Sequence, residues 1–331
     1  MNEAPHLTFD LDAHGVSRGH LVVPGGADHE EFSLPVFSLN KGDGPRLLIT
    51  GGNHGNEMEG PLVARRLIEW LPQAQTSGRI IVLPVLNPLA VQAWSRNTPL
   101  DGLNLNRVFP GRADGSVTER IADAVSRVLL PNADIVFDLH SFGPTWDFPP
   151  AVITHPIADA DLMAKTLAMA AAFKLPVTLL WQHDDTAGMF DSWAHSLGKV
   201  FVCAEFGGGT VSAEALAIYE AGVRNALVML GLVEGKVEDV SFRNKRSSQT
   251  LETLISDELK SPAQGIFEPR CSVLDEVRSG DLIGILHSMD SVSAPSIDIR
   301  APGPSIVLAI GSGAHVDRNE GVAILARPLH N

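Results

Sequence analysis

Through residue 230 the chain alternates short β-branched runs with helix-periodic segments, and few folds accept that pattern. RLLITGG (46–52) reads as a buried strand. It feeds GNEMEGPLVARRLIEWL, in which Leu62, Val63, Leu67, Trp70 and Leu71 share one helical face. RIIVLPVLN (79–87) reads as a second strand. Ser116 and Glu119 form a capping-box pattern at the start of VTERIADAVSRVLL, with Ile121, Val125, Val128 and Leu129 on one side and Pro131 as the stop. DIVFDLH (134–140) is a third strand, DLMAKTLAMAAAF (161–173) a helix and KVFVCAEF (199–206) a fourth strand. SAEALAIYEAGVRNALVML (212–230) is a long helix closed by Gly231. This order predicts an α/β domain with a mixed, largely parallel sheet flanked by helices.

The texture changes near residues 240–250, where FRNKRSSQT reads as a polar, basic linker. Beyond it, Gly, Pro and Ser punctuate short alternating segments such as SVLDEVRSGDLIGIL, and no helical period remains. The expected division is an α/β domain over residues 1–242 and a small all-β domain over 243–331.

Composition narrows the function classes. The chain has 331 residues, 44% of them hydrophobic, enough for a sizeable core. A net charge of −14 argues against nucleic acid or an anionic membrane as the main partner. Two cysteines, Cys203 and Cys271, make no disulfide framework and fit a reducing compartment. The N-terminal MNEAPHLTFDLDAHG has no apolar leader core, and apolar stretches such as LVMLGLV are too short to span a bilayer. A cytoplasmic protein is expected.

The chemistry-bearing residues gather at strand ends, where open α/β sheets bind ligands. The first strand runs into Gly51-Gly52-Asn53-His54-Gly55-Asn56-Glu57, and the third ends at Asp138-Leu139-His140-Ser141. A lone strand-end histidine is usually a packed core residue. Two histidines and a carboxylate with a vacant fourth position instead suit a catalytic zinc ion, so His54, Glu57 and His140 are the candidate ligands. Asp138, two before His140, is expected one face over and in a supporting role. The loop containing Asn104-Leu105-Asn106-Arg107 can present an amide beside a guanidinium, a pairing suited to a carboxylate, although alone it also reads as a solvated turn. Arg96 is placed to stabilise charge on a polarised carbonyl. Glu205, flanked by apolar residues before Gly207-Gly208-Gly209, is a candidate general base with a raised pKa, or else a sheet-end acid paired with an arginine. No Lys-Ser/Thr follows those glycines, so phosphate-loop chemistry is discounted.

GGNHGNEMEG, NLNRVFPG, DLHS and CAEFGGG occur in this order, and together they resemble the succinylglutamate desuccinylase/aspartoacylase family, a branch of the zinc carboxypeptidase fold. The resemblance spans roughly residues 45–230. It implies His54, Glu57 and His140 as zinc ligands, one Zn²⁺ per chain, and Glu205 as the catalytic carboxylate. It further implies Asn106 and Arg107 as a clamp on the amino-acid carboxylate and Arg96 as the group polarising the scissile carbonyl. The terminal β domain is similar to the family's biotinyl/lipoyl-like appendage but lacks a hairpin-tip lysine, so no swinging arm is expected. The single tyrosine, Tyr219, lies in a predicted helix, which excludes a phenol supplied from the C-terminal domain. The implied activity is zinc-dependent removal of an acyl group from a small N-acyl amino acid. Within the family, the segment after NLNRVF and TWDF after DLHS look most like N-acetyl-diaminobutyrate deacetylases. On that reading Asp147, or Asp184 and Asp185, neutralises a substrate ammonium. A zinc carboxypeptidase and a non-catalytic binding protein are the alternatives, and the oligomeric state is left open.

Overall fold

The computed structural model describes residues 4–25, 31–182, 186–208, 211–243 and 249–329. In chain order the first strands are β1 (His6–Leu7), β2 (Gly15–Val23), β3 (Phe32–Asn40), β4 (Arg46–Gly51), β5 (Arg79–Leu83) and β6 (Ile135–His140). They are followed by β7 (Trp146–Asp147), β8 (Pro150–Thr154), β9 (Val177–Gln182), β10 (Val200–Phe206) and β11 (Gln249–Leu254). The remaining strands are β12 (Glu258–Lys260), β13 (Gly265–Pro269), β14 (Glu276–Val277), β15 (Leu282–His287), β16 (Ile297–Arg300), β17 (Ser305–Gly311), β18 (His315–Val316) and β19 (Gly321–Pro328). The helices are α1 (Glu59–Trp70), α2 (Pro88–Gln92), α3 (Val117–Ala124), α4 (Ala160–Ala172), α5 (Phe190–Ser196) and α6 (Ala213–Met229).

The trunk of the molecule is the parallel run β5-β4-β6-β10. Its strands are apolar almost throughout because helices cover both faces. On one face Leu47, Ile49, Phe137 and Val202 pack with Leu67 of α1, Ala170 of α4 and Val223 of α6. On the other, Leu48, Val136 and Phe201 pack with Ile121 of α3 and Ala194 of α5. An antiparallel ribbon, β1-β2-β3, extends the sheet beyond β5. Past β10 the sheet continues through β8, antiparallel to β10, and then β9. A mixed sheet flanked by helices is therefore the observed fold, parallel in its trunk and antiparallel at most of its other pairings.

The capping box at α3 is present, with the Ser116 N–H donating to Glu119 Oε2 at 2.8 Å. After Ala124 the helix loosens into a π-type turn over Val125–Leu129. Helix α1 begins only at Glu59, and Leu62 is 41% exposed rather than on the buried face. Gly60 accounts for the tight seat of this helix on the sheet: a Cβ there would lie 2.0 Å from the Leu139 carbonyl oxygen.

β11 pairs in parallel with β9, and β19 pairs antiparallel with β11, so the sheet runs on into the C-terminal segment. A separate antiparallel sheet has the order β16-β15-β13-β18. Phe267, Ile283, Val307 and Leu325 belong to a core of the segment's own. Leu251, Leu308 and Ile324 share a core with Phe148 and Leu179 of the preceding chain. We propose residues 243–331 as a small β domain docked on 1–242 through a shared sheet edge. Among the described residues no helix is long and apolar enough to cross a membrane.

Candidate active site

Parallel pairing puts the carboxyl ends of β4, β6 and β10 side by side, and the site is built there. Gly52, with φ +69°, turns the chain out of β4 in a conformation other residues adopt only at a cost. That turn presents His54 and Glu57 before α1 begins. His140 ends β6, and its register partner on β10 is Glu205. Partners in register point to the same face.

His54 Nδ1 lies 2.9 Å from Glu57 Oε1, and His140 Nδ1 lies 2.9 Å from Glu57 Oε2. The three candidate ligand residues are buried, with their ligand atoms within 4.8 Å of one another. Each imidazole is held by its other nitrogen. His54 Nε2 donates to Asn104 Oδ1 at 3.0 Å, and His140 Nε2 donates to Asp138 Oδ2 at 2.7 Å. Both acceptors lack a proton to give, so in the neutral imidazoles the Nδ1 lone pairs face a carboxylate. Three electron-rich groups aimed at one point call for a cation between them, and nitrogen and oxygen donors of this kind suit a divalent transition metal. The Ser141 N–H also donates to Glu57 Oε2, at 3.1 Å.

The electrostatics follow the same pattern. Burial alone raises the Glu57 carboxyl, but the charges and hydrogen bonds of His54 and His140 outweigh it and hold Glu57 well below the usual range. Burial lowers His54. At His140 burial acts the same way, yet Asp138 and Glu57 overcome it and push that histidine well up. Asp138 is fully buried and further fixed by Thr50 Oγ1 at 2.6 Å and Asn53 Nδ2 at 3.1 Å. It supports His140 as expected but shares its face: residues two apart in a strand point the same way, so the expectation of opposite faces was an error of period.

Glu205 projects into the same cavity, whose volume is about 280 Å³. Its Oε2 is buried and, among the described residues, has no hydrogen-bond partner. Burial, followed by the negative charge of Glu57, pushes its carboxyl up to about 8. Positive charge held by His54, Glu57 and His140 acts in the opposite direction. The Cys203 thiol lies 3.8 Å from Glu205 Oε1, and burial pushes it well above an ordinary thiol.

Arg96, Asn106 and Arg107 also line this cavity. Arg96 Nη1 donates to Glu57 Oε1 at 3.0 Å while about half of its side chain stays exposed. Asn106 and Arg107 lie on a single 3₁₀ turn, Leu105–Arg107, capped by Asn104 Oδ1. The Asn106 Oδ1 accepts the Phe190 N–H at 2.9 Å, so its amide NH₂ is the group left to address a carboxylate. Asp147 is not brought here. It forms a two-point ion pair with Arg243 at 2.9 Å in a different cavity beside Tyr219. Asp184 and Asp185 lie outside the described residues.

Two supporting residues escaped the sequence reading. Asn104 has no signal of its own within Asn-Leu-Asn-Arg, and its bond to His54 is the contact a second carboxamide in that motif can make. Asp191, at the start of α5, is 6% exposed and lines the cavity, with no motif marking it.

Three buried residues that could hold a metal ion and a buried carboxylate share one cavity, which makes this a candidate active site. The family model described as the succinylglutamate desuccinylase/aspartoacylase catalytic domain matches residues 43–230, and the chain belongs to that family. It is 36% identical, over 98% of its length and 95% of the relative's, to N-alpha-acetyl-L-2,4-diaminobutyric acid deacetylase of Halomonas elongata. An aspartoacylase family protein from Mesorhizobium loti superposes with a TM-score of 0.90 at 66% identity, covering 99% of this chain and 100% of that one. The product-bound ectoine utilization protein EutE (DoeB) from Ruegeria pomeroyi gives a TM-score of 0.89 at 34% identity, covering 97% of this chain and 98% of that one.

Proposed function

We propose that the protein is a zinc-dependent amidohydrolase that removes the acyl group from a small N-acyl amino acid, with N-acetyl-2,4-diaminobutyrate as the favoured substrate. The observation that carries this reading is the unpartnered, buried Oε2 of Glu205, level with His140. With Oε1 near the Cys203 thiol, Oε2 is the oxygen left to exchange a proton with a reactant. A cavity of about 280 Å³ has room for an acylated amino acid.

His54, Glu57 and His140 would hold the zinc ion, with Asn104 and Asp138 fixing the two imidazoles. Zinc bound there supplies a Lewis acid for the scissile carbonyl and lowers the pKa of water toward about 7. Glu205 accepts the proton of the attacking water and later returns it to the departing amine. Arg96 turns from Glu57 toward the developing oxyanion. Arg107, with the Asn106 amide, grips the amino-acid carboxylate and fixes which bond faces Glu205.

Amine release from a panel of N-acyl amino acids and small peptides tests the reading. Turnover of acylated amino acids, with carboxypeptidase substrates left intact, is the expected result. Release of C-terminal residues from peptides would instead favour a carboxypeptidase, and a folded, zinc-loaded protein that hydrolyses neither would favour a binding role.

A further inference from the structure

Four side chains on the cavity wall form a two-by-two array. In the parallel pairing of β6 and β10, Asp138 is level with Cys203 and His140 is level with Glu205. Residues two apart in a strand share a face, and all four line the cavity. On β6 the residue two before the candidate metal ligand steadies it, because Asp138 Oδ2 accepts from His140 Nε2 at 2.7 Å. On β10 the same place, two before Glu205, is filled by Cys203.

The Cys203 thiol lies 3.8 Å from Glu205 Oε1. That distance is long for a nitrogen or oxygen donor but within reach of the larger sulfur, whose S–H is a weak donor. Packing holds the sulfur in place. The Cys203 side chain sits against the core that contains Phe190 and Phe201 and against the core that contains Ala151 and Ile153. Burial, with the negative charges of Glu205, Asp138, Asp191 and Glu57, keeps the proton on sulfur, so toward Glu205 the thiol acts as a donor. Glu205 Oε2, by contrast, has no hydrogen-bond partner among the described residues. The two oxygens of this one carboxyl group are therefore unlike.

We propose that Cys203 is a positioning residue for the hydrolysis: its thiol holds Glu205 Oε1 and so fixes Oε2 as the oxygen that exchanges a proton with the reactant. A carboxylate held at one oxygen has less freedom to lose on reaching the transition state. A weak donor suits this task, since a strong one would favour the charged carboxylate and make it a poorer base. Cys203 acts through Glu205 and needs no contact with the substrate.

The inference rests on the deacylase reading, and two readouts separate them. The first is the infrared S–H stretch, a band that no other protein group shares and that hydrogen bonding moves to lower frequency. The chain has two cysteines, so Cys271→Ala leaves Cys203 as the single thiol. Adding Glu205→Leu removes the acceptor at similar volume, and the band should then move to higher frequency. An unmoved band would overturn the inference. The second readout is kinetic, on zinc-loaded enzyme with the N-acyl amino acid it turns over best. Cys203→Val fills the space without a donor, and kcat should fall by about 3–10-fold with KM unchanged. Cys203→Ser returns a donor on a shorter arm, and its kcat should recover above that of Cys203→Val. Wild-type kcat in Cys203→Val, or a serine variant no faster than the valine one, would assign Cys203 to packing and overturn the inference. A raised KM with kcat intact would make Cys203 a substrate contact and overturn it as well. A band that moves as expected in protein that hydrolyses no N-acyl amino acid would remove the deacylase reading and leave the Cys203–Glu205 contact standing.

Discussion

Glu205 and His140 are register partners on adjacent parallel strands, so the buried carboxylate and a candidate metal ligand leave the same sheet face side by side. Sheet geometry fixes that proximity without help from loops. A proton acceptor mounted this way is preorganised, because neither backbone shifts without disturbing the β6–β10 ladder.

Glu205→Gln preserves the shape and the ladder but cannot take a proton. We expect unchanged zinc content and a kcat lower by about 10²–10⁴-fold. Turnover close to wild type in the zinc-loaded variant would contradict the assignment.

Asn104 and Asp138 act on the ion through the imidazoles they orient. Asn104→Ala and Asp138→Asn should each weaken metal binding by about 10–100-fold, read by competition with a coloured chelator. His54→Ala should lose the metal outright. Unaltered affinity in both supporting variants would show that the ligands hold their orientation unaided.

The two arginines should separate kinetically. Arg107→Ala removes a grip present before and during reaction, so KM should rise with kcat little changed. Arg96→Ala removes charge stabilisation that grows in the transition state, and kcat should fall by about 10²–10³-fold. A pure kcat defect in Arg107→Ala would argue against a clamp.

Asp101 gives a pH signature away from the site. Burial raises its carboxyl, but hydrogen bonds from the Thr118 N–H and hydroxyl, at 2.9 and 2.8 Å, and from the Leu103 N–H outweigh this and lower it. A carboxylate lowered on folding adds stability above its unfolded pKa of about 3.9, and that stability is lost as pH falls through the folded value. Asp101→Ala should therefore destabilise the protein at pH 7, with the gap from wild type narrowing below pH 4 in urea titrations. A gap constant from pH 7 to pH 3 would contradict this.

The trunk strands and the helices α1, α3, α4 and α6 were legible because burial on both faces writes apolar runs and helical period writes apolar stripes. His54, Glu57, His140 and Glu205 were legible because strand ends mark where ligands gather, and the structure brings all four into one cavity. Strand β3 was hidden by Pro35, which sits level with His20 of β2 where β5 has not yet joined the other edge. Strands β8 and β9 carry no motif, and short α5 has too few turns to show a period. Asn104 acquires its role only through its contact with His54, made distant in sequence, which no local pattern encodes. Asp147 misled because an acid in a loop looks the same whether it faces substrate or, as here, Arg243.

The most direct test of the central claim is zinc stoichiometry measured alongside amine release from N-acetyl-L-2,4-diaminobutyrate, before chelation, after it, and after zinc is restored. We expect about one zinc per chain, loss of turnover on chelation and recovery on restoring the metal. Full turnover in protein stripped of metal, or none in protein carrying one zinc per chain, would contradict the account.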